Sequence, residues 1–533
     1  MPTIVAASKY STALPPPDRE PRAFSARALG WRAPVRGSPI LVAIGVCVAL
    51  AALSAALLPT VPSYDPWAWI VWGRELVDPH LSFATSGGNS WKPLPVVFTA
   101  VFGLFGGAAP VLWVITARAG GLLGLLAAWR LSSRLARAGV ESAGGGREDA
   151  VEGEGHFEHA APIAGWVAGL VAVLGLALTQ DFSYYMFRGA SEPMLVASAL
   201  WAIDRLLAGR HAQAFVLGVA TSLIRPEAWP LLGVYAVWLW FKEPRLRALL
   251  LAGIAAIPFF WFVPPWIGSG QPFLAASHAK DYNGHLGSSP VLEALRRAAN
   301  LQVLPVLVAA VLAVGLAWLR GRDRRVLALA GGAVGWAVVV VAMVIDGYPG
   351  LERFFLPATA VVCVLAGVGV AWVAVLAGGR VLTGVSARGG RIATLALAGA
   401  LIAVSIPLSS SRIDAATAQK AVAGRAVRTL NELSAAVRAA GGHAGVFPCR
   451  SSFSAVNHSV QTALAWKLHV TFGRVGTALR KPGVDFIGPH NSIDGGPATV
   501  SPRLTGMQLI AQAGAWRVVR VTLPGHSNAC VGR

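Results

Sequence analysis

Charge is what this sequence has least of. Only 13% of its 533 residues are charged, about half the share of a soluble globular protein. With 55% hydrophobic residues and a mean hydropathy of +0.58, a water-soluble enzyme is excluded and a polytopic membrane protein is indicated. Acids are scarcer still, 25 against 45 Lys and Arg, for a formal charge of +20. That surplus does not indicate nucleic acid. The basic residues sit in short loops between apolar runs, where they set topology and meet anionic headgroups. Cysteine is also rare, with four in the chain. Neither C-x-x-C nor H-E-x-x-H occurs, so no metal-ligand spacing is present. No internal repeat is visible, which counts against the repeat architecture of secondary transporters.

The long apolar runs are what remain. The first goes from Ile40 to Leu58 without a charge, enough to cross a hydrocarbon core of about 30 Å. It is preceded by residues 1–38, Arg-rich and containing Pro15-Pro16-Pro17, which read as a disordered cytoplasmic tail rather than a cleaved signal. About ten further apolar runs follow. Every second junction is basic: Arg130, Arg134 and Arg137; Arg205 and Arg210; Lys242, Arg245 and Arg247; Arg320 to Arg325; Arg380, Arg388 and Arg391. The expectation is therefore about eleven transmembrane helices with the amino terminus inside. Residues 39–408 form the transmembrane domain. Residues 409–533 form an extracytoplasmic α/β domain with helices at Ala415–Ala440 and Val460–Leu468. Strands are expected at Ala444–Phe447 and Trp516–Leu523. Gly144–His159 reads as a flexible acidic loop, and Pro93–Gly106 as a helix in or re-entering the interface.

The first exit loop, Ser63-Tyr64-Asp65-Pro66-Trp67, places an acid among aromatics that favour the membrane surface. On the alternating topology Lys92, Glu192, Arg225 with Glu227, and Arg353 share its face. A purely structural surface has no need for charges against span ends, where desolvation is costly. Asp65 is the candidate base, or else a solvated loop acid. Lys92 is a candidate substrate-binding cation, or a lysine snorkelling to headgroups. Arg353 is a second one, or a partner for Glu352 or Asp346. Glu192 orients the acceptor or assists Asp65, or is an acid favoured at a helix N-terminus. Arg225 and Glu227 read as a structural pair, with Arg225 kept among the substrate-binding candidates. Trp67 and Trp91 are the accompanying aromatics. His278, Lys280, Asp281 and His285 lie in a loop that either closes over substrate or is plain surface. Cys449 and Cys530 suit one disulfide if the tail is outside the cytoplasm. Cys47 and Cys363, inside apolar runs, are inert.

These residues also carry a resemblance. Asp65, then Arg74-Glu75-Leu76, then Trp91-Lys92-Pro93-Leu94-Pro95 resemble the first outer loop of the GT-C glycosyltransferases. This superfamily includes the protein O-mannosyltransferases, the lipid A aminoarabinose transferase and the actinobacterial arabinofuranosyltransferases. Gly189-Ala190-Ser191-Glu192-Pro193 falls where a second acidic loop is expected. Leu223-Ile224-Arg225-Pro226-Glu227 looks like the Arg-Pro-Glu turn of bacterial members. Gly268-Ser269-Gly270-Gln271-Pro272 with Ala279-Lys280 is similar, in degraded form, to a loop of the arabinofuranosyltransferases. Glu352-Arg353-Phe354-Phe355-Leu356-Pro357 resembles the opening of a late span. The likeness covers about Pro39 to Gly378. Pro66 stands where an acid often follows the first Asp, so a metal-binding Asp-x-Asp is absent.

The resemblance implies a membrane glycosyltransferase using a polyprenyl-phosphate sugar donor and a cell-envelope glycan or lipid acceptor, in contact with membrane lipids and no nucleic acid. It implies Lys92 and Arg353 as the contacts to the donor phosphate. It implies an inverting displacement, no required cofactor, no indicated divalent metal, and arabinofuranose as a sugar suggested by one loop. The competing readings are a transporter or lipid flippase, and a non-catalytic cell-wall-binding membrane protein.

Overall fold

The computed structural model describes residues 39–85, 90–144, 154–280, 289–319, 323–381, 387–449, 451–489, 499–504 and 506–522. The amino-terminal tail, Asp281, His285, Arg320, Arg322 and Cys530 lie outside the described residues, as do the side chains of Arg380, Arg388 and Arg391.

The chain is a multi-pass helical membrane protein. The apolar runs fold as helices because their backbone groups can bond only internally in hydrocarbon. These are α1 (Pro39–Leu57), α2 (Tyr64–Val77), α3 (Pro93–Gly103), α4 (Ala109–Gly144), α5 (Glu154–Ala177), α6 (Phe182–Phe187), α7 (Glu192–Leu207) and α8 (His211–Ser222). Then follow α9 (Trp229–Lys242), α10 (Arg247–Ser269), α11 (Leu274–Lys280), α12 (Pro290–Asn300), α13 (Leu304–Leu319), α14 (Arg324–Ile345), α15 (Leu356–Val381) and α16 (Ala387–Leu408). Each of the eleven expected runs is helical, but among the described residues six helices are long and apolar enough to span, or up to eight if two bent pairs each count as one span. The difference lies mainly in α7, α8 and α9, with 16, 12 and 14 residues. At 1.5 Å per residue α8 covers roughly 18 Å, well short of a bilayer core.

Three local expectations are corrected. The exit loop is instead the helix α2, with Asp65 in its first turn and Pro66 beside it, where proline is tolerated. Its tryptophans do not face lipid: Trp67, Trp69 and Trp72 are all buried. They are buried because α2 lies flat against α3. A Cβ on Gly73 would stand 2.4 Å from the Thr99 carbonyl carbon, so only glycine permits the approach. The acidic loop before α5 is shorter than expected, because the helix already begins at Glu154.

After α16 the chain runs through α17 (Ser410–Ala439), α18 (Gly442–Val446) and α19 (Gln461–Lys467). The strands are β1 (Ser454–Val456), β2 (Val475–Gly476), β3 (Ala478–Leu479), β4 (Gly483–Ile487), β5 (Thr499–Val500), β6 (Gly506–Ala513) and β7 (Trp516–Thr522). The main sheet has the order β2-β1-β4-β7-β6, parallel across β2-β1-β4 and antiparallel across β4-β7-β6. The expected strand at Ala444–Phe447 is a correction: Gly442–Val446 is a helical turn, entered through the left-handed Gly441 (φ +86). The tail has a small buried cluster of its own, Ala455, Leu479, Leu504, Val519 and Val521, and shares a larger one with the helices. Val446, Phe447, Leu464 and Trp516 join one buried cluster with Trp67, Trp69, Trp72 and Trp91. Arg74 at the end of α2 donates to the carbonyls of Trp466 (3.1 Å) and Val470 (2.7 Å). Glu75 accepts from the backbone N–H of Phe472 (2.7 Å) and Ala84 (3.0 Å). Burial pushes the Glu75 carboxyl up to about 7 against those bonds and the Arg74 charge.

On the opposite face of β4, Asp485 is 1% exposed and neither carboxylate oxygen has a hydrogen-bond partner among the described residues. Desolvation pushes its carboxyl from the ordinary 3.8 up to about 7. A carboxyl with a raised folded value is most compatible with folding when protonated, so its favourable contribution is full below 3.8 and disappears as pH rises through 7. The full shift corresponds to about 4 kcal/mol as an upper bound. Asp485→Val, an apolar residue suited to a strand, should therefore raise the melting temperature of the detergent-solubilised chain more at pH 8 than at pH 5. Equal gains at both pH values would show that Asp485 does not titrate in this range.

Candidate active site

Four separated segments converge where α2 begins. Asp65 Oδ2 lies 3.5 Å from Nη1 of Arg353, which stands in the turn before α15. These two keep 19% and 30% side-chain exposure. Behind them is a fully buried set. Lys92, the residue before α3, donates to Ser191 Oγ (2.7 Å) and Glu192 Oε1 (3.2 Å). Arg225 donates to the same Glu192 oxygen at 2.7 Å. The side chains of Lys92, Glu192 and Arg225 are 3%, 2% and 7% exposed. Aromatic faces cover the cations: Lys92 Nζ is 5.1 Å from the Trp69 ring and the Arg225 guanidinium 4.4 Å from that of Phe354. In charge terms this is an accessible acid–base pair backed by two buried cations that share the Glu192 carboxylate, with the buried Glu227 3.6 Å from Arg225.

The structure thus brings Asp65, Lys92, Glu192, Arg225 and Arg353 together, from positions up to 288 residues apart. Arg353 pairs with Asp65 rather than with the expected alternatives. Glu352 lies 3.8 Å from Arg297, and Asp346 lies 2.8 Å from Lys280. Arg225 is more than a partner for Glu227, which it meets at 3.6 Å, farther than Glu192. Lys92 does not snorkel; it is 2% exposed.

Other expectations move away from the cluster's open side. Trp91 is core, its indole donating to the Phe260 carbonyl at 3.0 Å with Trp72 and Phe83 packed around it. Trp67 is likewise buried, 6.2 Å from Trp466. Lys280 bridges to Asp346 over the Tyr348 ring, and His278 sits with it on the short α11. Neither has a described contact with Asp65. The loop likeness that suggested arabinofuranose therefore gains no support from its placement. Among the described residues no group of three His, Cys, Asp or Glu side chains could hold a metal. Cys47 and Cys363 are buried free thiols, as expected.

Sequence reasoning missed the contribution of the tail. His458 stacks on Tyr64 with ring centroids 4.1 Å apart. Thr462 Oγ1 donates to the Tyr64 carbonyl (3.1 Å), and Tyr64 Oη donates to Gln461 Oε1 (3.5 Å). Burial lowers His458 below the ordinary imidazole range, with the Asp65 charge pulling upward. The turn that carries Asp65 is thus anchored from residues nearly 400 positions downstream. A His and a Gln at the start of an unremarkable helix gave no signal for this.

No protein-family model matches the chain, and no curated protein does. Solved structures similar to it include two of one protein. ArnT from Cupriavidus metallidurans bound to undecaprenyl phosphate has 14% identity and a TM-score of 0.47, over 91% of this chain and 98% of that chain. The apo state of ArnT from the same organism has 15% identity and a TM-score of 0.48, over 93% and 98%. Likenesses this remote carry no argument, and the chemical reading rests on the side chains.

Proposed function

We propose that the chain is an integral-membrane glycosyltransferase of the GT-C type, moving a sugar from a polyprenyl-phosphate donor to a hydroxyl of a cell-envelope acceptor. The observation that carries this is the Asp65–Arg353 pair, half-open to solvent and backed by the buried Lys92–Glu192–Arg225 set. An acid beside a guanidinium is what displacement of a phosphate requires. Asp65 takes the acceptor proton as the hydroxyl oxygen attacks the anomeric carbon. The bond from that carbon to the phosphate oxygen breaks, and its electron pair leaves on the phosphate. Arg353 meets the departing oxygens with its planar fork. Lys92 adds positive potential from behind, with Glu192 positioning it and Arg225. Attack opposite the leaving group inverts the anomeric centre.

A transporter is less well supported: the charges gather at helix ends, with no repeat. In this reading residues 409–533 lie outside the cytoplasm and complete the site through His458, Gln461 and Thr462. Its thiols belong to the same proposal. Cys449 is not free, and pairing with Cys530 follows if the compartment is oxidising. Peptide maps before and after reduction should differ by a Cys449–Cys530 fragment; identical maps would remove the bridge.

The test of the function is direct. Purified full-length chain, given a panel of radiolabelled polyprenyl-phosphate sugars with envelope extract as acceptor, should release polyprenyl phosphate and label the extract. A chain that binds such donors yet never consumes them would instead favour a carrier.

A further inference from the structure

A second charged site lies at the far end of the helix bundle. Arg137 is 24 residues along α4 from Trp113, roughly 36 Å at 1.5 Å per residue. Trp113 itself packs on Trp69 beneath Lys92, with ring centroids 5.5 Å apart. The two sites are therefore about a membrane thickness apart. At the far end, Arg134, Arg137 and Glu141 of α4, Leu207 of α7 and Arg325 of α14 line a cavity of about 280 Å³.

Its electrostatics are unbalanced. Asp204 is fully buried and already receives Arg130 (3.1 Å), Arg134 (2.5 Å) and Arg205. One carboxylate is shared by three guanidiniums, so two positive charges remain over. Arg137 and Arg325 add two more, against Glu141 as the one acid of the lining; neither guanidinium has a carboxylate partner among the described residues, Asp323 accepting from the backbone N–H of Arg325 (2.9 Å) and not from its side chain. Arg137 is also seated rather than loose: it lies in the space left by Gly165 of α5, where a Cβ would come within 2.2 Å of its Nε. Planar forks converging on a cavity at a membrane boundary match the oxygens of a phosphate. The cavity is at the lower end of ligand-pocket sizes, suited to a headgroup and not to a whole lipid. Leu206, the neighbour of Leu207 in α7, is 38% exposed.

We propose that this cavity binds a phosphate group, supplied by the headgroup of an anionic phospholipid. The test uses the detergent-solubilised full chain and native mass spectrometry, with dioleoylphosphatidylglycerol, dioleoylphosphatidylcholine and inorganic phosphate as probes. The wild-type chain should hold its first phosphatidylglycerol at least about tenfold more tightly than Arg137→Ala/Arg325→Ala, the loss expected for two charge-assisted contacts. Lys242→Ala/Arg245→Ala, which removes two exposed charges elsewhere, should bind as wild type. Arg137→Lys/Arg325→Lys keeps the charge but loses the fork, and should fall between them while melting as wild type. Phosphatidylcholine should bind equally to all four proteins. Inorganic phosphate that displaces the lipid, with the same arginine dependence, would overturn the lipid source in favour of a soluble phosphate. Equal affinity in the two alanine pairs would overturn the site.

Discussion

Asp65→Asn should abolish sugar transfer while leaving the protein folded and able to bind its donor. Asparagine has the same shape, and its amide oxygen can still accept from Arg353 at the 3.5 Å separation seen here. What it cannot do is take a proton from the acceptor hydroxyl. Losing a positioned general base typically costs two to four orders of magnitude in rate, so turnover should fall by about a thousandfold. The loss should appear in kcat, with the donor KM nearly unchanged, because the base acts only in the transition state. The cost in stability should be small. Both partners are partly exposed, and ion pairs of that kind contribute at most about 1 kcal/mol. Arg353→Ala should show the complementary pattern, raising the donor KM along with lowering kcat, because the guanidinium is assigned to the phosphate in both states. An Asp65→Asn protein that transfers sugar at the normal rate would remove Asp65 from the mechanism and require another base.

Much of this site could be read from the chain, for a physical reason. In a mostly apolar sequence each charge near a span end is conspicuous, and alternating basic junctions assign it to a face. That was enough to group Asp65, Lys92, Glu192, Arg225 and Arg353 without knowing their contacts. Pairing was beyond reach: whether Arg353 meets Asp65, Glu352 or Asp346 depends on how the turn before α15 is rotated. The span count failed for a related reason. Apolar runs reveal helices but not their lengths once turns such as Arg225-Pro226-Glu227 break them, so α7 to α9 were each counted as a crossing. The tryptophans of α2 misled because an interface aromatic and a core aromatic look alike in sequence. Only Gly73, packed against the α3 backbone, distinguishes them, and a single glycine gives no such warning. In the tail, helix composition and the β-rich run at Trp516 were legible. The short strands β1 and β4 were not, since three to five residues carry too little periodicity.

The largest effect on stability should come from Glu192. Its carboxylate is 2% exposed and is the shared acceptor of Lys92 and Arg225, themselves 3% and 7% exposed. Removing one member of a buried ion set leaves the others desolvated without compensation, typically at a cost of 3–5 kcal/mol. Glu192→Ala strands Lys92 and takes from Arg225 the nearer of its two carboxylates, so the melting temperature of the solubilised chain should drop by well more than that of any surface substitution. Lys92 has nowhere to turn but Ser191, while Arg225 keeps only Glu227 at 3.6 Å. That asymmetry makes a double-mutant cycle informative. Lys92→Met alone should also be costly, because it leaves Glu192 held by Arg225 only. Combined with Glu192→Ala, however, the methionine should restore part of the loss, since one stranded charge has been replaced by apolar volume. The coupling between the two substitutions should be in the range of about 1–3 kcal/mol. Glu192→Gln separates charge from shape: it retains an acceptor for both cations and should fall between wild type and Glu192→Ala. Strict additivity of Lys92→Met and Glu192→Ala would mean that the two side chains do not share a buried site. In that case the positive potential behind Asp65 would have to come from Arg225 and Arg353 alone.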